Sequence, residues 1–400
     1  MQKKLVIFGA GKIGRSFIGQ LFGKGGYDVV FIDVDKRIVD ELNRRGNYNV
    51  VIKAEKETVI NISNVRGIFA MDESRVEKEI FDAGILAVSV GQNGLPHILP
   101  LIAKGLAKRY IFNNAEPLDI IIAENLRNAA QYFREELGKR LPVEYPIDQL
   151  VGLIETSIGK MVPIMRKKDL EEDILQVFAE PYNTLILDKK GFKNPIPQIE
   201  GLSPKENMKA WVDRKLFIHN LGHATAAYIG YLYNPGFIYL YEALAVPEVF
   251  RSVRETMIQS ANILLKLYPE EFAMEALIDH IDDLLSRFAN KHLGDTIFRV
   301  GCDLTRKLGP EDRLVGAVSL SQEFQMPCDH ILFAIACACR FMATDENGNR
   351  LHNDQEFDQK YSGDVRRIMT EVSGFDEMNI IQSVVNIADK IDKRNFNEII

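Results

Sequence analysis

Three polar side chains interrupt the apolar helical pattern of Trp211 to Gly230, read as WVDRKLFIHNLGHATAAYIG: Lys215, Asn220 and His223. At about 100° per residue, Asn220 lies about 140° from Lys215 with His223 between them, so all three share one broad helix face. A lysine, an amide and a histidine on one face can bind an alcohol carbon and remove its hydroxyl proton. Lysine titrates at about 10.4 in water. Burial or a neighbouring cation lowers that value and makes the amine a usable general base. Asn220 can donate to the oxygen that becomes a carbonyl, and His223 can hold the substrate or the lysine. His219 falls on the same face and reads as packing. A structural reading fits the same residues: Lys215 in an exposed Asp213-Arg214-Lys215 charge cluster, Asn220 as an irregularity before Gly222, and His223 as a packing histidine. Spacing alone does not choose between them.

A second constellation lies at the other end of the chain. Phe8-Gly9-Ala10-Gly11-Lys12-Ile13-Gly14 contains G-x-G-x-x-G directly after an apolar run and before a helical pattern. In that setting Gly9 permits a tight turn, Gly11 lets the backbone approach a pyrophosphate, and Gly14 allows close packing of helix on strand. The helix that follows would turn its unpaired N–H groups and positive dipole end toward the phosphates. Asp33 ends the next apolar run about twenty residues further on, where a dinucleotide site needs a carboxylate for the ribose hydroxyls. A carboxylate there repels a 2′-phosphate and favours NAD over NADP, although Lys36 and Arg37 follow closely. Val90-Gly91 ends another apolar run and is expected to border the nicotinamide; a plain strand-ending glycine is the alternative.

The elements that must carry these residues alternate in the first half. Leu5 to Phe8 and Asp28 to Asp33 read as strands, with helical patterns at Ile13 to Phe22 and Ile38 to Arg45. Strand, crossover helix and strand imply a parallel sheet. Tyr48 to Lys53 and Thr58 to Ile68 read as an inserted hairpin. Ile85 to Val90, Asp119 to Ala123, Leu150 to Ile154, Ile174 to Ala179 and Thr184 to Leu187 read as further strands, and Gly191 to Pro204 as a Pro/Gly-rich link. Beyond it nearly everything reads as helix, apart from an expected exposed loop at Thr344 to Gln359. The spacing therefore predicts an α/β Rossmann-type domain with a mostly parallel sheet at 1–200 and a mainly α-helical substrate-binding domain at 201–400.

Composition bounds the partners. With 400 residues, 46% hydrophobic and 26% charged, the chain is a globular protein too long for one core. A net charge of −7 disfavours nucleic acid. Four cysteines form no disulfide framework or paired C-x-x-C motif, and no His/Asp/Glu cluster has metal spacing. A reduced, cytoplasmic, metal-independent protein is expected, without signal peptide or membrane span. Oligomeric state is not readable.

FGAGKIGRSFIG, Phe8 to Gly19, resembles the N-terminal signature of the mannitol-1-phosphate 5-dehydrogenases, the sugar-phosphate branch of the long-chain polyol (mannitol) dehydrogenase family. Lys215-x4-Asn220-x2-His223 is similar to that family's lysine signature, and the resemblance runs nearly end to end. It includes Ala123-Glu124-Asn125, Pro163, Asp295-Thr296 with Arg299, Arg306-Lys307-Leu308 and Asp312-Arg313-Leu314. The resemblance implies Lys215 as general base, Asn220 and Asn125 as the pair that stabilises the oxyanion, and His223 as a substrate contact. It also implies Arg299 and Lys307 as substrate-facing cations, and NAD as cofactor. The implied reaction is the reversible oxidation of D-mannitol 1-phosphate to D-fructose 6-phosphate, with a free polyol or a hexonate as the alternative substrate. Many members read Val-Asp-Arg-Ile-x-Pro where this chain reads Ile158-Gly159-Lys160-Met161-Val162-Pro163. Loss of the carboxylate makes that segment less negative, which suits an anionic substrate, with Lys160 and Arg313 as further candidate cations.

Overall fold

The computed structural model describes residues 3–113, 116–393 and 396. Among these the strands are, in chain order, β1 (Lys4–Phe8), β2 (Asp28–Asp33), β3 (Asn47–Ile52), β4 (Thr58–Ser63), β5 (Val65–Phe69), β6 (Ile85–Val88), β7 (Leu118–Ile122), β8 (Val151–Ser157), β9 (Val177–Ala179), β10 (Leu185–Asp188) and β11 (Leu202–Lys205). β1 and β7 are buried at every position. Val6 and Phe8 enter one apolar cluster, and Leu5 and Ile7 enter another. Successive side chains point to opposite faces, so a strand buried at every position needs cover on both sides, as in a parallel sheet flanked by helices.

Eight strands form one sheet in the order β11-β10-β8-β7-β6-β1-β2-β5. Its pairings are parallel except that of β8 with β10. From β1 the chain adds β2 and β5 on one side, then returns to add β6, β7 and β8 on the other. Such a reversal opens a ligand crevice past the carboxyl ends of the two central strands, here β1 and β6.

The structure corrects three expectations. The run read as the second arm of a hairpin is two strands. β4 pairs antiparallel with β3, while β5 joins the main sheet beside β2. Asn64, at φ 59, turns the chain between them. β9 pairs with β3 in a separate three-stranded sheet. The Pro/Gly-rich link runs into β11, which pairs with β10. The stretch read as an exposed loop, Thr344 to Gln359, runs into the helix His352–Tyr361, whose Asp354, Phe357 and Tyr361 are buried.

The chain divides into two compact units, Met1–Trp211 and Val212–Ile400. The second is built of helices around Leu221–Tyr233, which is buried along most of its length. Small residues let its neighbours approach. A Cβ on Gly222 would lie 2.4 Å from the Met257 sulfur on the helix Pro247–Leu267. No helix among the described residues is long and apolar enough to cross a membrane.

Candidate active site

In the first unit the glycines occupy the positions their roles require. Gly9 adopts φ +99, and a Cβ there would meet the Ser89 carbonyl oxygen at 2.4 Å. A Cβ on Gly14 would meet the Gly9 carbonyl oxygen at 2.0 Å, so helix and turn touch through the missing side chain. A Cβ on Gly11 would meet nothing within 4 Å. Gly11 thus faces open space where the motif needs room for a pyrophosphate, and the residues fit a dinucleotide. Phe8 and Ala10 are buried in support, Lys12 is exposed, and Ile13 is half-buried. The helix begins by Arg15 N–H donating to Gly11 O at 3.1 Å. It then widens into a π-helical turn over Gly14–Gly19, a feature the sequence pattern does not announce.

Asp33 closes β2 against this turn. Its Oδ2 accepts the Ala10 N–H at 2.6 Å and its Oδ1 the Asp35 N–H at 2.8 Å. Lys36 and Arg37 pair with Asp40 and Asp35, each at 2.7 Å. On the other side of the crevice, the Val90 and Gly91 N–H groups donate to one Glu124 oxygen, at 2.6 and 2.9 Å. Asn125 follows on the exposed side, and its carbonyl accepts from the Gln92 amide at 3.0 Å. Lys160 is buried, with Nζ donating to Asn183 Oδ1 at 2.7 Å and Gln20 Oε1 at 3.2 Å.

In the second unit, Lys215–Asn220 is a π-helical turn between α-helical segments. Leu221 N–H reaches back to Leu216 O, five residues away. In i→i+5 bonding a turn takes in nearly one extra residue, so residues five apart lie closer in angle than on an α-helix. Lys215 and Asn220 therefore stand nearer in angle than α-helical spacing predicts, which revises the 140° reading. Such a turn strands a carbonyl, and here the buried Ser260 hydroxyl donates to Phe217 O at 2.5 Å.

Burial, with repulsion from Arg313, lowers the Lys215 ammonium to about 8. Arg313 donates from NH1 to the Asn220 carbonyl at 3.4 Å and from Nε to Asp312 at 2.6 Å. His223 Nε2 lies 3.0 Å from Asp295 Oδ2, and its ring stacks on Phe288 at 4.7 Å between centroids. Burial pushes the Asp295 carboxyl up, but its bonds to His223 and Arg299 outweigh this and hold it below its ordinary value. Burial keeps His223 below its ordinary value too, despite Asp295. A neutral imidazole beside an ionised carboxylate donates from Nε2, which leaves Nδ1 as an acceptor. His219 is buried edge-on against Phe288, as packing.

Arg299 pairs with Asp295 and is half exposed. Lys307 is buried, donates to Val300 O at 2.5 Å and is lowered by burial to about 8. Arg313 repels Lys215, His223 and Lys307 alike, so these groups form one positive neighbourhood. Sequence reasoning did not assign Glu124 or Asp295 to the site. Their signals were weak: an acid beside Asn125, and an acid before the helix-capping Thr296.

A Rossmann unit followed in one chain by helices carrying a lowered lysine defines a two-unit dinucleotide-dependent dehydrogenase. Residues 3–201 match the mannitol dehydrogenase Rossmann domain, and residues 207–391 match the mannitol dehydrogenase C-terminal domain. The chain belongs to the mannitol dehydrogenase family and is an NAD-dependent polyol oxidoreductase. It is similar in fold to a D-sorbitol dehydrogenase solved in substrate-free form, with a TM-score of 0.82 and 17% identity over 98% of this chain and 93% of that one. It is also similar to the Pseudomonas fluorescens mannitol 2-dehydrogenase, solved as a ternary complex with NAD and D-mannitol. That match has a TM-score of 0.74 and 15% identity over 100% of this chain and 93% of that one.

Proposed function

We propose that the chain catalyses the reversible NAD-dependent oxidation of D-mannitol 1-phosphate to D-fructose 6-phosphate, with Lys215 as general base. The observation that carries the reading is the Lys215 amine, lowered to about 8 on the π turn that brings it closer in angle to Asn220. Bound NAD would supply the hydride acceptor, held by the Phe8–Gly14 turn, Asp33 and the Val90–Gly91 turn. The neutral amine takes the hydroxyl proton as the carbonyl forms, and in reverse the ammonium returns it. Asn220 and Asn125 donate to the oxygen while it carries negative charge. His223, fixed by Asp295, accepts a hydrogen bond from a substrate hydroxyl.

The positive neighbourhood of Arg299, Lys307 and Arg313 supports a phosphorylated substrate. Lys160 and Lys307 are the further candidate cations, each buried within its own unit. The four described thiols suit the cytoplasmic setting expected from the sequence. The test is NADH formation with mannitol 1-phosphate and with free hexitols. Turnover of the phosphate ester with inhibition by inorganic phosphate is expected. Turnover of a free hexitol alone, insensitive to phosphate, would reject the substrate. A free polyol is the second reading, favoured by the fold shared with the sorbitol and mannitol 2-dehydrogenases.

A further inference from the structure

β6 and β7 run parallel and in register, with Val88 opposite Ile122. Two residues beyond β7, the Glu124 side chain turns back across the strand ends and is buried. Its Oε1 alone accepts two successive backbone N–H groups, those of Val90 and Gly91. For both to converge on one oxygen the chain must curl, and Gly91 does so at φ 76, ψ 157, a region essentially confined to glycine. Gln92 returns a bond to the Asn125 carbonyl. The two turns are thus laced in both directions. Among the described residues no cation forms an ion pair with Glu124. Burial pushes its carboxyl up and the two N–H bonds oppose the rise. A carboxylate buried on backbone N–H groups alone is a costly way to brace a turn.

We infer that Glu124 is a positioning residue: by holding the Val90–Gly91 turn it seats the nicotinamide half of the dinucleotide in line with Asn125. The inference deepens the proposed reaction and rests on the role given there to Asn125. It also rests on the rule that ligands lie past the carboxyl ends of strands at the reversal of sheet order. Asp33, which would take the ribose hydroxyls of the adenine half, ends β2, across β1 from the turn beyond β6, so the two halves of the cofactor should respond separately.

The experiment compares NADH with ADP-ribose, which lacks the nicotinamide, on the full-length wild type, E124A and E124Q. Glutamine keeps the Oε1 acceptor. E124A should weaken NADH about tenfold, as loss of two backbone bonds implies. ADP-ribose should stay within about twofold, and E124Q should restore NADH binding. In turnover, E124A should lower kcat about 100-fold with a smaller change in polyol KM. Equal weakening of both nucleotides would make Glu124 a merely structural brace and overturn the inference, as would unchanged NADH binding. A wild type that turns over no polyol sinks the proposed reaction, yet the NADH to ADP-ribose ratio still decides the role of Glu124. Should E124A fail to fold, Q92A removes only the returning bond. It should move the same ratio about threefold, and an unmoved ratio overturns the inference.

Discussion

Lys215 sits where two demands conflict. Stability asks for a hydrated ammonium, whereas proton abstraction asks for a neutral amine near neutral pH. Holding the group at about 8 rather than 10.5 favours the second. The unfolded chain then binds more protons between these values, so this residue's contribution to stability rises with pH from about 8 to about 10.5. Below that window its full cost is present. Lys215→Met should therefore raise the melting temperature at pH 7 and gain less at pH 10, in thermal melts of the same two proteins. Asp295 holds its neighbour by a different device. One oxygen fixes His223 and the other takes Arg299. Asp295→Asn should lower kcat about tenfold to 100-fold through a misplaced imidazole. NAD affinity should stay unchanged, measured by steady-state kinetics beside nucleotide titration.

Two neighbouring glycines make different predictions at the scale of the element. A methyl at Gly14 runs into the Gly9 carbonyl, while a methyl at Gly11 meets no protein atom. Gly14→Ala should lower the melting temperature by several degrees. Gly11→Ala should melt like the wild type yet bind NADH at least tenfold more weakly, because its methyl enters pyrophosphate space. Calorimetry and NADH titration separate the two. The glycine turn was legible in the sequence because it is local and periodic, whereas Lys215, Asn220 and His223 stood out only as polar residues in an apolar run and took their expected roles from the family resemblance. The π turns were not legible. A single extra residue per turn leaves no mark on an apolar pattern, and the group that rescues the stranded carbonyl, Ser260, is 43 residues from Phe217. The partners of Glu124 and Asp295 were illegible for the same reason, since Glu124 meets Val90 across 34 residues and Asp295 meets His223 across 72. Likewise, nothing local distinguishes β5 as a strand of the main sheet from β5 as a hairpin arm. The helix His352–Tyr361 was hidden by polar composition. Its buried Asp354 accepts the Asp303 and Leu304 N–H groups at 2.9 and 2.7 Å, fixing the turn that carries Lys307.

At the scale of the whole molecule, a chain of net charge −7 places Arg313 near Lys215, His223 and Lys307, and Arg299 near His223. An acidic protein with a locally positive site repels anions at long range and holds them at short range, so salt should matter mainly through screening at the site. The KM for a phosphorylated hexitol should rise with ionic strength, while that for any free hexitol should stay flat, in initial-rate assays across added chloride. All of this depends on one proton transfer. The most direct measurement is the pH dependence of NAD-linked polyol oxidation in the wild type and in Lys215→Ala. The wild-type rate should climb with pH and level off above an ionisation at about 8, with the reverse reduction declining through the same value. The variant should lose about 10²–10⁴-fold in kcat together with that ionisation. A variant that keeps both the rate and the ionisation would contradict Lys215 as the base.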